Sequence, residues 1–282
     1  MTEDFADLGD IRLHFVEEGE GPLVVLLHGF PDFWYSWRRQ IPFLAKAGYR
    51  VVAPDMRGYN LSGKPQGVDA YRITRLAGDI GDLVGHLGAD RAVIAGHDWG
   101  GVVAWSLPIF RPEVVDRLVI LNAPHPAVMF RELLTPGQAL RSWYFFFFQL
   151  PRLPEELVRA ALPAIVKAAG GTEDDLALYV EAAARPGALT ATVNYYRAAM
   201  RAVLGATPED ARLRDIARQA VVDSPVLLLW GLDDPVLGPR LTEGLEPWVR
   251  NLRVMRLPGV SHWPHLESPA TVNQELLAFI QS

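Results

Sequence analysis

The sequence contains no cysteine, which excludes disulfides, thiolate metal sites and a cysteine nucleophile and fits a cytoplasmic, reducing location. It also lacks a basic excess. Its 27 Lys and Arg stand against 33 Asp and Glu, a formal charge of −6 with the signs interspersed. Such a chain has no basic stripe for nucleic acid and no polybasic anchor for a membrane, and neither partner is expected. No stretch approaches the roughly 20 apolar residues that span a bilayer. Met1-Thr2-Glu3-Asp4 is acidic with no apolar run behind it, unlike a secretory signal. The histidines lack metal-ligand spacing and no phosphate-binding glycine motif follows a strand, so neither a metal nor a cofactor is expected. Repeats and low-complexity tracts are absent. What is present is a chain that is 50% hydrophobic, enough for one large core with an inserted subdomain, as a monomer or homodimer.

Short apolar runs alternate with helical patterns: Ile11 to Val16, Leu23 to Leu27, Arg50 to Ala53, Ala92 to Ala95, Leu118 to Leu121, Val226 to Trp230 and Leu252 to Leu257. This is the rhythm of an α/β protein with a mostly parallel central sheet and helices on both faces. The turn cluster Glu18-Gly19-Glu20-Gly21-Pro22 predicts an antiparallel hairpin between the first two runs. Helices are expected over Thr74 to Leu87, Val102 to Phe110 and Ala270 to Ile280. Between about 127 and 220 no strand pattern survives, and Ala, Leu, Arg and Glu predominate. The division expected is a core of residues 1–126 and 221–282 with a helical cap of residues 127–220. Because parallel sheets bind ligands beyond the carboxyl ends of their strands, the insertion would roof the site.

The stretch Val93-Ile94-Ala95-Gly96-His97-Asp98-Trp99-Gly100-Gly101 reads as strand, sharp turn and helix. Gly-x-Asp-x-Gly has the form of a nucleophile elbow, with a carboxylate, Asp98, where serine is commoner. Three other loops follow strands. His28-Gly29-Phe30-Pro31-Asp32 offers the Phe30 amide, which with the Trp99 amide would form an oxyanion hole. Trp230-Gly231-Leu232-Asp233-Asp234-Pro235 offers a carboxylate to orient a histidine, and Asp234 is favoured over Asp233. Ser261-His262-Trp263-Pro264-His265 offers His262 as a general base. His265 reads as a surface or packing histidine, and His28, His97 and His125 as structural hydrogen-bonding residues.

With His28-Gly29-Phe30-Pro31, Asp55-Met56-Arg57-Gly58-Tyr59, Gly96-His97-Asp98-Trp99-Gly100-Gly101 and Ser261-His262-Trp263 in place, the chain resembles the α/β-hydrolase superfamily. Within it, the chain resembles the epoxide hydrolases of the Asp-nucleophile branch. The resemblance implies an α/β-hydrolase fold with an inserted helical cap, and a detoxification-type, cofactor-independent reaction of a small apolar epoxide with water to give a diol. Asp98 would form an alkyl ester, His262 steadied by Asp234 would activate the hydrolytic water, and cap tyrosines would protonate the epoxide oxygen. Ser142-Trp143-Tyr144 and Asn194-Tyr195-Tyr196-Arg197 carry that last role to Tyr144 and Tyr196. Tyr195 remains open if the register differs by one. A single donor remains open if Phe147 takes the first position. Phe30, Pro31, Phe33, Trp99, Phe147 and Trp263 are the expected substrate-lining residues, although for Phe33 and for Trp37 core packing fits equally well.

A haloalkane or haloacid dehalogenase would use the same Asp98 ester. Phe30, however, offers no side-chain halide donor, and Trp99, Val102 and Val103 stand where a haloacid enzyme places arginines after the nucleophile. A serine esterase is disfavoured for want of serine at position 98. A non-catalytic ligand-binding member of the fold tends to lose one of the triad, and none is missing. The aromatic run Trp143 to Phe148, bounded by Arg141 and Arg152, reads as pocket lining or cap packing in preference to a membrane wedge.

Overall fold

The computed structural model describes residues 1–282. Its strands are β1 (Thr2–Asp7), β2 (Arg12–Glu18), β3 (Leu23–Leu27), β4 (Arg50–Pro54), β5 (Ala92–His97), β6 (Val115–Leu121), β7 (Val226–Gly231) and β8 (Leu252–Leu257). They form one sheet in the order β1-β2-β4-β3-β5-β6-β7-β8. The pairs β1–β2 and β2–β4 are antiparallel and the rest of the sheet is parallel.

The expected hairpin between the first two apolar runs does not form. Residues 12–18 pair instead with β1 and β4, while β3 lies between β4 and β5. All five β3 side chains are buried. Such a strand needs a parallel neighbour on each edge and cover on each face. The sequence pattern did not mark β1, because Thr2–Asp7 is half acidic and mostly exposed, with Ala6 its only buried residue.

Helices α1 (Ile41–Lys46), α2 (Ile73–His86) and α3 (Trp99–Phe110) follow β3, β4 and β5. Seven helices then run between β6 and β7: α4 (Pro126–Glu132), α5 (Pro136–Arg141), α6 (Tyr144–Phe147), α7 (Leu153–Ala168), α8 (Glu173–Ala184), α9 (Ala188–Leu204) and α10 (Pro208–Gln219). Their starts are written in the sequence. Thr172 with Asp175 and Thr207 with Asp210 form reciprocal capping boxes, and prolines open α4, α5, α7 and α10. The chain ends with α11 (Pro264–Glu267) and α12 (Pro269–Ile280). No helix is long and apolar enough to cross a membrane.

The larger hydrophobic cluster joins one sheet face and α2 and α3 to Leu189, Tyr195 and Tyr196 of α9, so the inserted helices share the core of the sheet. A second cluster packs α1 and α12 on the opposite face. Helix α3 begins at Trp99, three residues before the expected start, because Gly100 and Gly101 form its first turn. That turn is pressed against β3. A Cβ on Gly100 would lie 2.2 Å from the Leu27 carbonyl oxygen, and one on Gly96 would lie 2.4 Å from the Gly100 oxygen.

Gly100→Ala must therefore push backbone from backbone, and a loss of more than about 3 kcal/mol in urea unfolding is expected. Gly78→Ala, in mid-α2 with open space at its Cβ, is expected to stabilise by up to about 1 kcal/mol. A Gly100→Ala protein as stable as its parent would contradict the close approach.

Candidate active site

Asp98 sits between β5 and α3 with φ +49° and ψ −119°. This left-handed backbone turns its side chain out of the sheet, and the side chain is 17% exposed. The loop after β3 closes on it: a Cβ at Gly29 would lie 2.5 Å from the Asp98 Cβ. That approach brings the Phe30 N–H to 2.8 Å from Asp98 Oδ1. The Phe30-Pro31 peptide is cis. Burial pushes the Asp98 carboxyl above its ordinary range. The charges of His262 and His97 and the backbone amides of Phe30 and Trp99 oppose that shift. Oδ1 is thus held by the Phe30 amide, and Oδ2 faces His262 Nε2 at 3.7 Å.

His262 is placed by the loop between β8 and α11. Its Nδ1 lies 2.7 Å from Asp234 Oδ2, a charge-assisted contact. Asp234 is fixed in turn, since Oδ1 accepts from the Val236 and Leu237 amides at 2.8 and 2.9 Å. Asn122 donates to Oδ2 at 2.7 Å while its own oxygen accepts from the Gly231 amide at 2.8 Å. Burial alone would lower the pKa of His262, but the charge and hydrogen bond of Asp234, followed by the charge of Asp98, raise it to about 9. Burial would raise the Asp234 carboxyl, and the charge and hydrogen bond of His262 together with Asn122 hold it below its ordinary value. Glu267 secures the loop by accepting from the Ser261 and Trp263 amides at 2.8 and 2.9 Å.

Two tyrosines face this group from the inserted helices. Successive residues on a helix point about 100° apart, so Tyr195 and Tyr196 diverge. The Tyr195 hydroxyl donates to the Arg57 carbonyl at 2.7 Å. The Tyr196 ring stands edge-on to Trp99 and Phe30, at centroid distances of 5.0 and 5.3 Å. Tyr144, from α6, packs on Tyr196 at 5.8 Å. Burial raises the pKa of both Tyr144 and Tyr196, and the Asp98 charge raises each further, so both hydroxyls stay protonated opposite a carboxylate.

The structure therefore brings together Asp98, His262, Asp234, Phe30, Trp99, Tyr144 and Tyr196. Trp263 packs on His262 at 4.8 Å. Phe33, expected to line the pocket, instead packs in a separate cluster with Val166, Tyr179 and Ala182 under α7 and α8. Trp37 is fully buried against His265. Phe147 touches Trp143 and Phe148. It is Phe148, the last residue of that aromatic run, that meets Phe30, Tyr144 and Tyr196 at 5.8, 5.8 and 4.6 Å. Trp143 and Phe146 turn outward, 57% and 70% exposed, so the aromatic run is only partly pocket lining. The sequence reading also missed Asn122 and Glu267; an Asn directly after an apolar strand end was the available signal for the first. His28 accepts from the Met56 amide and His125 caps α4.

Chemically, the arrangement can press a carboxylate oxygen on an electrophilic carbon, hold a charged oxygen at two amides, accept a proton at His262 and supply one from either tyrosine. Residues 22–269 match the family model described as alpha/beta hydrolase fold. The AB hydrolase superfamily protein YfhM of Bacillus subtilis is 41% identical, with 99% of this chain and 97% of that protein covered. Epoxide hydrolase 4 of Mus musculus is 36% identical over 96% of this chain and 77% of its own length. Among solved structures, the Bacillus megaterium epoxide hydrolase in complex with an inhibitor superposes with a TM-score of 0.86 at 32% identity, covering 99% of this chain and 100% of that one. Vigna radiata epoxide hydrolase VrEH1 gives 0.85 at 30% identity, covering 99% and 97%. With its doubly covered sheet, its acidic elbow and these relatives, the chain belongs to the α/β-hydrolase fold family and, within it, to the epoxide hydrolases.

Proposed function

We propose that the protein hydrolyses a small apolar epoxide to a vicinal diol through an alkyl ester on Asp98. Residues 1–126 and 221–282 form the catalytic core in this reading, and residues 127–220 the cap. The observation that carries it is a backbone-held carboxylate whose charge reaches two buried tyrosines kept protonated. A carboxylate attacking an acyl group would give an easily reversed anhydride, whereas attack on an sp³ carbon gives a stable ester. The leaving oxygen of an epoxide stays on the substrate as an alkoxide, so ring opening calls for an acid opposite the nucleophile.

Asp98 Oδ1 is engaged by Phe30, so Oδ2 is the attacking atom. Its lone pair forms the C–O bond, the ring C–O bond breaks, and the released oxygen takes a proton from Tyr144 or Tyr196. Esterification removes the Asp98 charge that helped keep His262 protonated, so the imidazole gives up its proton, which reprotonates the tyrosine by way of solvent, and the neutral ring is free to act as base. His262 Nε2 then takes a proton from water, whose oxygen attacks Asp98 Cγ. The Phe30 and Trp99 amides hold the resulting oxyanion, and its collapse breaks the ester C–O bond; the departing alkoxide takes the proton of the newly added hydroxyl, which releases the diol and restores the carboxylate. The proton taken from water stays on His262 beside the restored carboxylate, as in the resting site, and the sum is epoxide plus water giving diol.

Phe30 brings only a ring edge to the site, without a side-chain donor for halide, which favours this reading over dehalogenation. Incubation with styrene oxide and, separately, 1-bromobutane is expected to yield diol in the first case and no bromide above background in the second. Asp98→Ala is expected to abolish diol formation. Bromide release without diol, or full turnover by Asp98→Ala, would overturn the assignment.

His262→Gln is expected to open epoxide once and then stall, adding the mass of one styrene oxide to the intact protein. Replacing Tyr144 and Tyr196 together with Phe in that background is expected to slow ester formation by about 10²–10⁴-fold. Ester accumulating at an unchanged rate would remove both tyrosines from the role of acid.

A further inference from the structure

A second cluster of titratable groups lies beside His262. Asp32 comes from the loop after β3, His97 from the end of β5 and His265 from α11. All three are buried, at 2%, 0% and 0% exposure. One ligand atom from each lies within 4.8 Å of the other two. His97 Nδ1 and both His265 nitrogens have no hydrogen-bond partner. His97 Nε2 is 2.7 Å from the His262 carbonyl oxygen, which can only accept, so Nε2 carries a proton and Nδ1 is the ring nitrogen left for a ligand. His97 Nδ1 faces Asp32 Oδ2 at 3.6 Å, too far for a direct hydrogen bond.

We propose that Asp32, His97 and His265 bind a divalent cation of the zinc class, which ties together the three segments carrying Phe30, Asp98 and His262. Two neutral imidazoles and a carboxylate are a zinc donor set, with the fourth position left to water. Bonds of about 2.1 Å in a tetrahedron set donors about 3.4 Å apart. The Asp32–His97 pair already has nearly this spacing, and His265 reaches it by a small movement of its ring. The supporting contacts are those that orient metal ligands. His97 gives its other N–H to a carbonyl, and Asp32 accepts from the Tyr179 hydroxyl at 2.9 Å and from Trp263 Nε1 at 3.3 Å. A cleft lined by Asp32, Arg38, Asp175, Tyr179 and Leu266 gives a path from the surface. The Arg38 charge in that path is paired with Asp175 at 3.1 Å. Sequence spacing did not signal this site because its ligands meet only in the tertiary fold.

The test uses full-length protein stripped of metal, titrated with Co²⁺ by visible absorption and with Zn²⁺ by thermal unfolding. One Co²⁺ per chain is expected, with the ligand-field bands of a low-coordinate nitrogen and oxygen site. Tm is expected to rise with Zn²⁺ concentration, as binding to the native state requires. His265→Leu is expected to weaken Co²⁺ binding at least tenfold and to abolish the Zn²⁺-dependent rise, with its metal-free Tm and circular dichroism reporting that it folds. Should it fail to fold, Asp32→Asn carries the same comparison with less change of shape. His125→Gln, at a remote buried histidine, is expected to bind as the parent does. Absence of Co²⁺ bands in the parent, or unchanged binding in the folded ligand variant, would overturn the proposal.

Discussion

The backbone at Asp98 is the constraint on which the other features rest. A non-glycine residue at φ +49° costs about 1–3 kcal/mol, and the fold maintains it by packing backbone directly on backbone around it. Gly29, Gly96 and Gly100 permit that contact, each standing where a Cβ would come within 2.6 Å of a neighbouring atom. The same closeness delivers the Phe30 amide to Asp98 Oδ1 and leaves Oδ2 free. Relaxing the turn would therefore remove the nucleophile's orientation and its oxyanion donor together.

Around that turn the charges are mutually dependent. Asp98 is buried enough to be pushed toward its neutral form, and His262 is raised to about 9 by the two carboxylates beside it. In the proposed reaction the ester step cancels one of those carboxylates, so the product of the first step prepares the base for the second. Asp234, held by Asn122 and two backbone amides, keeps its charge throughout and fixes the imidazole in one orientation. The tyrosines are kept protonated by the same burial and the same Asp98 charge. The Asp98 carboxylate thus adds to what Asp234 does for the base and to what burial does for the acids.

Asp98, Asp234 and His262 were legible in the sequence because each follows an apolar strand in a recognisable turn, where local pattern and position in the sheet agree. Helices α2, α3 and α12 were legible too, whereas the helices between β6 and β7 were legible only as one undivided helical insertion. The hairpin expected after β2 was misread because Gly19 and Gly21 mark a turn but do not select a partner. Five buried side chains in β3 select it, and that is a property of the whole sheet. Asn122 and the cluster at Asp32 were hidden for a related reason, since their partners are distant in the chain. Tyr195 and Tyr196 were ambiguous because the sequence does not reveal the rotation of α9. One hydroxyl goes to Arg57 while the other ring turns toward Phe30 and Trp99.

The covalent role of Asp98 is tested most directly by a single turnover of styrene oxide with enzyme in excess in H₂¹⁸O. The account predicts diol free of ¹⁸O, with the label found on the Asp98 carboxylate, because the oxygen delivered to substrate is the enzyme's own Oδ2. Diol carrying ¹⁸O from the first turnover would mean that water attacks the epoxide directly, contradicting the ester.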